Sequence, residues 1–287
     1  MKLFDPKLKA FVAVARHKTV HLAAEHLFLT QTAVTQRIKL LEEKLKVSLF
    51  IRSRRGMELT EEGHILLRYC HSMQSFEEDI LREIKGAGIE IEASLHIAGP
   101  TSIMCARIIP ALSGLTKKYP RLSLRFSIVD DHQRHLLLKH SECDLAILSP
   151  EQIMPEMSHK ILAPEQYVLV GPKMWQQRDL KEIVSNEKII DFLPDDQLSF
   201  AYLQKFKLFE VNHPERHFVN HTESLAFMVS QGLGYTVLTT EFMAPFIQRH
   251  ELVVLNEAQT LENPMLLAWY QRTLPAPYFQ DALDLLI

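Results

Sequence analysis

The sequence predicts a mixed α/β protein, with a small helical part at its N-terminus and a larger part of alternating strands and helices behind it. Three observations support this prediction. Apolar residues recur at the spacing of α-helices up to about Lys85. Positive charge is concentrated before Gly56. From Ala93 onward, short β-like runs alternate with amphipathic helical stretches.

Two short helices around a tight turn are predicted between Thr19 and Leu45. The first helix has one apolar stripe at helical period, formed by Val20, Ala23, Ala24 and Leu27. Thr30 follows a short connection and is placed to N-cap the second helix near Gln31, because a threonine hydroxyl accepts a hydrogen bond from a first-turn amide. The segment therefore predicts a helical hairpin.

The second helix is predicted to bury one face and expose a polar one. Its apolar positions are Val34, Ile38, Leu41 and Leu45. The opposite face carries Thr32, Thr35, Gln36 and Lys39. Hydroxyls and amides read base edges in the major groove, while cations meet phosphates. This pattern predicts a helix-turn-helix that binds double-stranded DNA, with an ordinary solvated hairpin as the alternative.

The charge distribution favours the DNA-binding interpretation. Residues 1 to 56 contain 12 lysines and arginines against four acids, a net charge of +8, although the whole chain carries only −3. The remaining 231 residues therefore carry −11. The basic segment is a separate electrostatic unit that suits a phosphate surface.

Length and composition bound the rest of the chain. With 287 residues and 47% hydrophobic content, it can hold a small domain and a larger one with its own core. No apolar window approaches the length of a membrane span, and the start MKLFDPKLKAF lacks the apolar core of a signal peptide. We expect a soluble, cytoplasmic protein without a membrane partner. Cys70, Cys105 and Cys143 show no metal-site spacing and are expected to be buried reduced thiols, with a redox switch as the alternative.

A long helix is predicted over residues 61–88. Thr60 followed by two glutamates marks its start, and Gly86-Ala87-Gly88 ends it. An imperfect heptad seam runs along it, with apolar positions at Leu66, Cys70, Met73, Ile80 and Ile84. Such a seam is typical of a dimerisation helix. A helix packed against its own domain is the alternative.

The larger part, residues 93–287, is predicted to be an α/β domain with a mostly parallel sheet. Strands are expected around residues 94–99, 122–129, 144–149, 167–171, 188–192, 217–220, 235–240 and 264–270. Helices are expected near residues 105–119, 132–139, 224–231 and 277–287.

The segment from Leu8 to Gly63 resembles the N-terminal signature of LysR-type transcriptional regulators. The resemblance lies in the Ala23-Ala24 pair, the run TQTAVT from Thr30, Leu41-Glu42, Leu49-Phe50-x-Arg52 and Leu59-Thr60-x-x-Gly63. It implies a winged helix-turn-helix over residues 1–60. The implied DNA contacts are Thr30, Gln31, Thr32, Thr35, Gln36, Arg37 and Lys39, with Arg52, Arg54 and Arg55 in the wing. Arg37 and Arg52 are alternatively structural cations that pair with Glu42 or Glu43.

The larger part is similar to the effector-binding domain of the same family, which has two lobes of periplasmic-binding-protein type. The resemblance implies crossings between the lobes near Ala163 and near Asn263-Pro264. Lobe I would comprise residues 93–162 and 265–287, and lobe II residues 163–264. The family also implies a homodimer, paired into a homotetramer, that bends promoter DNA and contacts RNA polymerase.

A small-molecule effector, rather than a cofactor, is expected between the lobes, at strand ends and helix starts. The candidate residues are Pro100, Thr101, Ser102, Asp130, Ser149, Asp195, Asn220, Thr222 and Glu223. Thr101 and Ser102 are candidates for a ligand carboxylate. Simple helix capping is the alternative for each hydroxyl and amide.

The stretches KIIDFLPDDQLSFAYLQKF and HFVNHTESLAFMVSQG resemble lobe II of the arginine- and lysine-responsive (ArgP-like) branch, once described as replication-initiation inhibitors. This resemblance implies an amino-acid effector such as arginine or lysine, whose amines would meet acids. The available carboxylates are Asp130, Asp131, Asp195, Asp196 and Glu223.

Other classes of function are less well supported by the sequence. An α/β enzyme is disfavoured because the chain has no GxSxG, GxGxxG or GxxxxGK[ST] motif. Metal binding by His213, His217 and His221 is disfavoured because Pro214 breaks the helix that would align them. A DNA-organising or replication-control protein without an effector would not need the larger domain.

Overall fold

The computed structural model describes most of the chain. The described ranges are 5–54, 56–71, 73, 93–130, 133–208, 215–257, 259–271 and 275–286.

Three helices form the N-terminal core: α1 (Pro6–His17), α2 (Val20–Leu27) and α3 (Gln31–Leu45). Each begins at a side-chain cap that accepts a first-turn amide, and the caps are Asp5, Thr19 and Thr30. Ala23 and Ala24 are buried, so that α2 approaches its neighbours closely. The predicted hairpin and its Thr30 cap, whose hydroxyl lies 3.2 Å from the amide nitrogen of Ala33, are confirmed.

One predicted core position of α3 is wrong. Val34, Ile38 and Leu41 are buried, but Leu45 is 42% exposed. Leu45 is the last residue of the helix, and Lys46 turns the chain away in a left-handed conformation. Leu49, on the far side of this turn, enters the core instead.

A two-stranded wing follows α3. Strand β1 (Phe50–Ser53) pairs antiparallel with β2 (Gly56–Leu59), and Ser53 lies opposite Gly56. Gly56 has φ +113°, and a Cβ at this position would lie 2.3 Å from the carbonyl oxygen of Lys18. The amide of Met57 donates to that same oxygen at 2.7 Å. Glycine is therefore needed where the wing is attached to the end of α1.

The next helix, α4, begins at residue 61 and is described to residue 71. The hydroxyl of Thr60 caps it by accepting from the amide of Gly63. Leu67 and Cys70 are buried in the N-terminal core, so this first part of the helix packs against its own domain. Cys70 is therefore wrong as a seam position. Ile80 and Ile84 lie outside the described residues.

Lobe I is built on a five-stranded sheet in the order β4-β3-β5-β13-β6. The strands are β3 (Ala93–Gly99), β4 (Leu122–Ile128), β5 (Leu145–Leu148), β6 (Met157–Ile161) and β13 (Leu266–Tyr270). Its helices are α5 (Thr101–Ile103), α6 (Ile109–Leu112), α7 (Leu115–Lys118), α8 (Arg134–Lys139) and α13 (Pro277–Leu285). A π-helical turn, Met104–Ile108, joins α5 to α6, and Pro110, which lacks an N–H, follows it.

Lobe II is centred on strand β7, with β10 and β11 on either side of it and β12 paired to its first residues. The strands are β7 (Glu165–Pro172), β8 (Ile189–Asp191), β9 (Arg216–Phe218), β10 (Thr236–Thr239), β11 (Leu252–Val254) and β12 (Leu261–Asn263). The helices are α9 (Leu180–Asn186), α10 (Leu198–Lys205), α11 (Thr222–Ser230) and α12 (Thr240–Gln248). Separate apolar clusters pack on the two faces of the sheet.

The expectation of mostly parallel sheets is wrong. Strand β3 is parallel to β4 and β5, and β8 is parallel to β9. However, β13 is antiparallel to both β5 and β6, and β10, β11 and β12 are all antiparallel to β7. The chain leaves lobe I after β6 and returns along β13, which runs opposite to both of its neighbours in that sheet.

Helix α4 also contacts lobe I. The rings of His64 and His140 stack with their centroids 4.2 Å apart. The Lys139 Nζ atom lies 2.8 Å from Glu61 Oε1. The Arg68 side chain donates to the carbonyl of Lys139 at 3.1 Å and lies over the ring of Tyr270. These contacts join the helix that follows the wing to lobe I.

Candidate DNA-binding surface and effector cavity

The polar face of α3 is open to solvent. Its first turn is fixed by the Thr30 cap, and its buried residues point to the other side. The side chain of Gln31 lies 3.2 Å from His21 of α2. The exposed members of the predicted contact set are Thr30, Gln31, Thr32, Thr35, Gln36 and Lys39, and Arg37 belongs to the same helix.

Two of the arginines predicted to meet DNA, Arg37 and Arg52, had an alternative structural role. No ion pair of Arg37 or Arg52 is found within the described part of the chain, so the alternative structural pairing is not seen. Glu42 instead accepts from the amide of Leu49 at 2.7 Å. Glu43 lies 3.8 Å from Lys39. Arg54 is exposed at the tip of the wing, and Arg55 lies outside the described residues.

A cavity of about 470 Å³ lies between the lobes of the effector-binding part. This is a common size for a small-molecule site. It is lined from lobe I by Pro100, Ser102, Asp130 and Arg134, and from the segments that cross between the lobes by Glu165, Tyr167, Asn263 and Met265. Lobe II contributes Asp191, Asp195, Asp196, Ser199, Thr222 and the strand residues Thr236 to Thr239.

Five of the predicted effector residues line this cavity: Pro100, Ser102, Asp130, Asp195 and Thr222. Thr101 does not line it, but is bonded to Asp130 at its edge. Three others do not line it. Ser149 forms a capping box with Gln152, Asn220 is exposed, and Glu223 is exposed beside His221. Asp131 lies outside the described residues.

The hydroxyls expected to meet a ligand carboxylate are held by carboxylates of the chain itself. Asp130 accepts from the amide of Thr101 at 2.6 Å and from its hydroxyl at 2.7 Å. Asp130 also accepts from the hydroxyl of Thr222 at 2.8 Å. The hydroxyl of Ser102 donates to Glu165.

The cavity is acidic. It is lined by the carboxylates of Asp130, Glu165, Asp191, Asp195 and Asp196, and Arg134 is the one basic side chain among its described lining residues. Arg134 is buried and donates to the main-chain carbonyls of Ile147 and Val129. Within the described lining, negative charge therefore exceeds positive charge.

Glu165 and Asp191 are both buried acids. Burial raises the pKa of Glu165, and hydrogen bonds from Ser102, Tyr167 and Asn263 oppose this shift. Burial also raises the pKa of Asp191, against hydrogen bonds from Ser199 and Arg216. The Arg216 Nε atom lies 2.6 Å from Asp191 Oδ2, so this acid already has a cationic partner.

A clamp outside the cavity joins the two lobes. Arg107, in the π-helical turn of lobe I, shares its Nε–H between the two carboxylate oxygens of Glu241 in lobe II, at 2.9 and 3.1 Å. It also donates to the carbonyls of Ala163 and Pro164 in the first crossing segment. Arg107 follows Thr101 and Ser102 on the same helical segment.

Two family descriptions match this chain and account for both of its parts. The one described as a bacterial regulatory helix-turn-helix protein of the lysR family matches residues 6–64, and the LysR substrate binding domain matches residues 90–287. The chain belongs to the LysR family of transcriptional regulators. The predicted resemblance is confirmed.

Relatives of this LysR-type regulator include proteins of several bacteria. It is 25% identical over 286 residues to the regulator ArgP of Photobacterium profundum, a match that covers 97% of this chain and 94% of that protein. It is 34% identical over 182 residues to the regulator DsdC of Escherichia coli, covering 63% of this chain. That match spans 57% of DsdC, little more than half of its length.

Solved structures confirm the predicted fold of this LysR-type regulator. ArgP from Mycobacterium tuberculosis matches it with a TM-score of 0.81 and 23% identity, over 99% of this chain and 96% of that one. Full-length LysG from Corynebacterium glutamicum, solved with bound effector Arg, matches with a TM-score of 0.76 and 18% identity, again over 99% and 96%.

The cysteines of this LysR-type regulator were expected to be buried, and this holds for two of them. Cys70 and Cys143 are buried, and burial raises the pKa of Cys70 to about 12 and that of Cys143 as well. Cys105, in the π-helical turn, is exposed. All three are free thiols.

The described part of this LysR-type regulator shows neither a metal cluster nor a helix suited to a membrane. Across the ranges that the structure describes, no three His, Cys, Asp or Glu side chains are grouped to hold a metal ion. His217 lies in strand β9, as its sequence predicts, and His213 is outside the described residues. None of the described helices is both long and apolar enough to span a membrane.

Several cavity residues were missed by sequence reasoning. Glu165, Tyr167 and Asn263 belong to the crossing strands, and Arg134 belongs to a lobe I helix. The sequence offered a signal for Glu165, which stands at the start of the apolar run EQYVLVG. An ionisable residue at such a place is rarely buried without a partner, so its position indicates a polar site.

Proposed function

We propose that this LysR-type regulator controls promoters in response to a basic amino acid, arginine or lysine, bound in the cavity between its lobes. The acidity of that cavity carries the proposal. Among the lining residues that the structure describes, five are carboxylates against one cation, Arg134, and Asp191 is the one of the five that is paired with Arg216. A ligand with an extra cationic group would offset this charge, whereas a purely anionic ligand would add to it.

The relatives support the same class of effector. LysG of Corynebacterium glutamicum has been solved with bound effector Arg, and its fold covers 99% of this chain. The match with ArgP of Photobacterium profundum extends over 97% of this chain. In our proposal, Asp195 and Asp196 of lobe II attract the side-chain cation, and Thr101, Ser102 and Thr222 meet the amino-acid end.

On the DNA side, we propose that the exposed face of α3 enters the major groove. Gln31, Thr32, Thr35 and Gln36 would meet base edges, while Lys39, Arg52 and Arg54 would meet phosphates. Dimers paired into tetramers would hold several such helices on bent promoter DNA, in the cytoplasm, and an effector would alter their spacing and the contact with RNA polymerase.

The effector proposal is tested by thermal unfolding of the full chain with amino acids. L-arginine and L-lysine should raise the melting temperature, since a ligand at about 100 times its Kd adds about 2.7 kcal/mol to the free energy of unfolding. L-citrulline and L-norleucine, which lack the side-chain cation, should give a much smaller shift. Equal shifts from arginine and citrulline, or no shift at millimolar arginine, would contradict the proposal.

A pair of variants locates the binding. Asp195→Asn removes one negative charge from the cavity lining, and Glu156→Gln removes one from an exposed loop outside it. We expect Asp195→Asn to weaken arginine binding in calorimetry while Glu156→Gln leaves it unchanged. An equal effect of both variants would point to long-range charge rather than to the cavity.

A further inference from the structure

Asp130 is held by three hydrogen-bond donors at the edge of the interlobe cavity. Its Oδ1 atom accepts from the Thr101 amide at 2.6 Å, and its Oδ2 atom accepts from the hydroxyls of Thr101 at 2.7 Å and Thr222 at 2.8 Å. A main-chain amide and two hydroxyls around both oxygens of a carboxylate are what a ligand carboxylate would require.

These donors come from both lobes. Thr101 begins the first helix of lobe I, and Thr222 begins helix α11 of lobe II. Asp130 follows strand β4 of lobe I and lines the cavity. The bond from Thr222 to Asp130 therefore joins the lobes at the cavity itself, in addition to the Arg107–Glu241 clamp outside it.

A second carboxylate cannot use the same hydrogens while Asp130 holds them. Each amide or hydroxyl hydrogen makes one strong bond, and two carboxylates in contact repel each other. A ligand carboxylate must displace Asp130, or else it must bind without Thr101 and Thr222.

We propose that the Asp130 carboxylate is a built-in occupant of the effector's carboxylate subsite, and that effector binding displaces it. This inference rests on the proposed function for the class of ligand, and adds the residue with which that ligand competes. The effector is then a compound with a carboxylate as well as a cation. Displacement replaces the hydrogen bond between Thr222 and Asp130, which joins the lobes, with hydrogen bonds to the ligand. Because the ligand must compete with Asp130 for these donors, Asp130 sets the effector concentration at which the response begins.

The first test asks whether the three donors accept a free carboxylate. Asp130→Ala empties the subsite, and we expect sodium acetate to raise the melting temperature of this full-length variant relative to sodium chloride at equal ionic strength. The natural chain and Glu156→Gln, whose subsite remains filled, should show no difference between acetate and chloride. Methylammonium chloride should have no effect on Asp130→Ala.

The second test measures competition directly by calorimetry with L-arginine and with agmatine, which has the same guanidinium but no carboxylate. Losing one competing charge-assisted bond corresponds to about tenfold or more in affinity. Asp130→Ala should therefore bind arginine about tenfold or more tightly than the natural chain does, whereas agmatine should gain no affinity. Asp130→Asn keeps the size of the side chain but cannot accept all three bonds, and should give a smaller gain.

The outcomes separate the alternatives. If Asp130 instead binds an effector ammonium, Asp130→Ala and Asp130→Asn lose affinity for arginine and agmatine together, and the proposal is overturned. If Asp130 only stabilises the fold, acetate does not restore Asp130→Ala and arginine affinity does not rise, which also overturns it. If arginine fails to bind the natural chain, the proposed effector is wrong, but acetate still decides whether Asp130 occupies a carboxylate subsite. If Asp130→Ala fails to fold, the affinity of Asp130→Asn decides the question.

Discussion

Gln36 and Arg54 are both exposed in the DNA-binding part, but their chemistry differs. Gln36 lies on the polar face of α3 and has an amide that both donates and accepts. Arg54 lies at the tip of the wing and carries a fixed positive charge. The first suits a base edge, which differs between sequences, and the second suits a phosphate, which does not.

We expect Gln36→Ala to relax sequence preference, since a good base contact is worth about 1–3 kcal/mol. Arg54→Ala should instead weaken binding to all sequences and reduce the salt dependence by about one phosphate contact. Both effects are measured by titrating operator and random DNA at several salt concentrations.

Gln204→Ala, an exposed glutamine of lobe II, is the matched control and should leave DNA binding unchanged. If Gln36→Ala behaves like Gln204→Ala, the reading face of α3 has been placed incorrectly.

Individual residues differed in how far the sequence could predict them. The Thr30 cap was predictable because it depends on a bond three residues away. Ser149 was predicted to line the cavity but instead caps a short helix together with Gln152. A serine after a strand and before a helix is typical both of a ligand contact and of a helix cap, so the sequence could not separate the two. Glu165 was missed because its partners Ser102 and Asn263 lie 63 and 98 residues away, and periodicity carries no information at that distance.

Among the elements, helix α4 presents two different faces. Leu67 and Cys70 are buried in the N-terminal core. Ile65, Tyr69 and Met73 are spaced four residues apart and are 46, 64 and 49% exposed. An apolar stripe of this kind on the solvent side of a helix is suited to a second copy of the same helix. Of the expected seam positions, Met73 belongs to this exposed stripe and Cys70 does not.

We expect Ile65→Glu to weaken self-association, because burying an isoleucine contributes about 1.5–3 kcal/mol and a charge there adds a desolvation cost. The dimer dissociation constant, measured by analytical ultracentrifugation, should rise about tenfold or more. Glu62→Gln, on the same helix and also exposed, is the control. An unchanged dissociation constant for Ile65→Glu would show that the helices do not meet along this face.

Strands were predicted correctly where their own sequence carries the full pattern of a strand. Strands β3, β4 and β5 were predicted because they are long or wholly apolar. Strand β6 was missed because its sequence, MSHKI, has three consecutive polar residues and therefore no apolar alternation, and its last residue, Ile161, is 81% exposed. The expectation of a mostly parallel sheet was wrong for β13, because the direction of that strand depends on where the chain re-enters lobe I, which no local spacing reveals.

At the scale of the whole molecule, α4 and lobe I meet through two stacked imidazoles. Burial lowers the pKa of His64 to about 4, and burial lowers the pKa of His140 as well. The Nδ1 atom of His64 is buried without a hydrogen-bond partner among the described residues. The surrounding charged and titratable groups are Glu61, Arg68, His135, Lys139 and Glu142. Both rings are therefore neutral near pH 7 in the folded chain.

This contact should make stability depend on pH. An unfolded histidine has a pKa near 6.5, so between pH 6.5 and about 4 the unfolded chain binds protons that folded His64 does not. The stabilisation is fully present above pH 6.5 and is lost as the pH falls towards 4. His64→Phe keeps a stacked ring without the titration, and its melting temperature should decline less over this interval than that of the natural chain. Parallel declines would show that the pair does not contribute.

The insertion of lobe II within lobe I affects how the protein is made. Strand β13 lies between β5 and β6 in the sheet, yet it follows every strand of lobe II along the chain. A growing polypeptide thus displays an apolar β5 edge from the time β5 is synthesised until β13 leaves the ribosome. Lobe II, whose strands β7 to β12 are contiguous, is able to close first, as domains do during synthesis. During that interval the open edge of lobe I presents unpaired main-chain N–H and C=O groups with which another chain can pair.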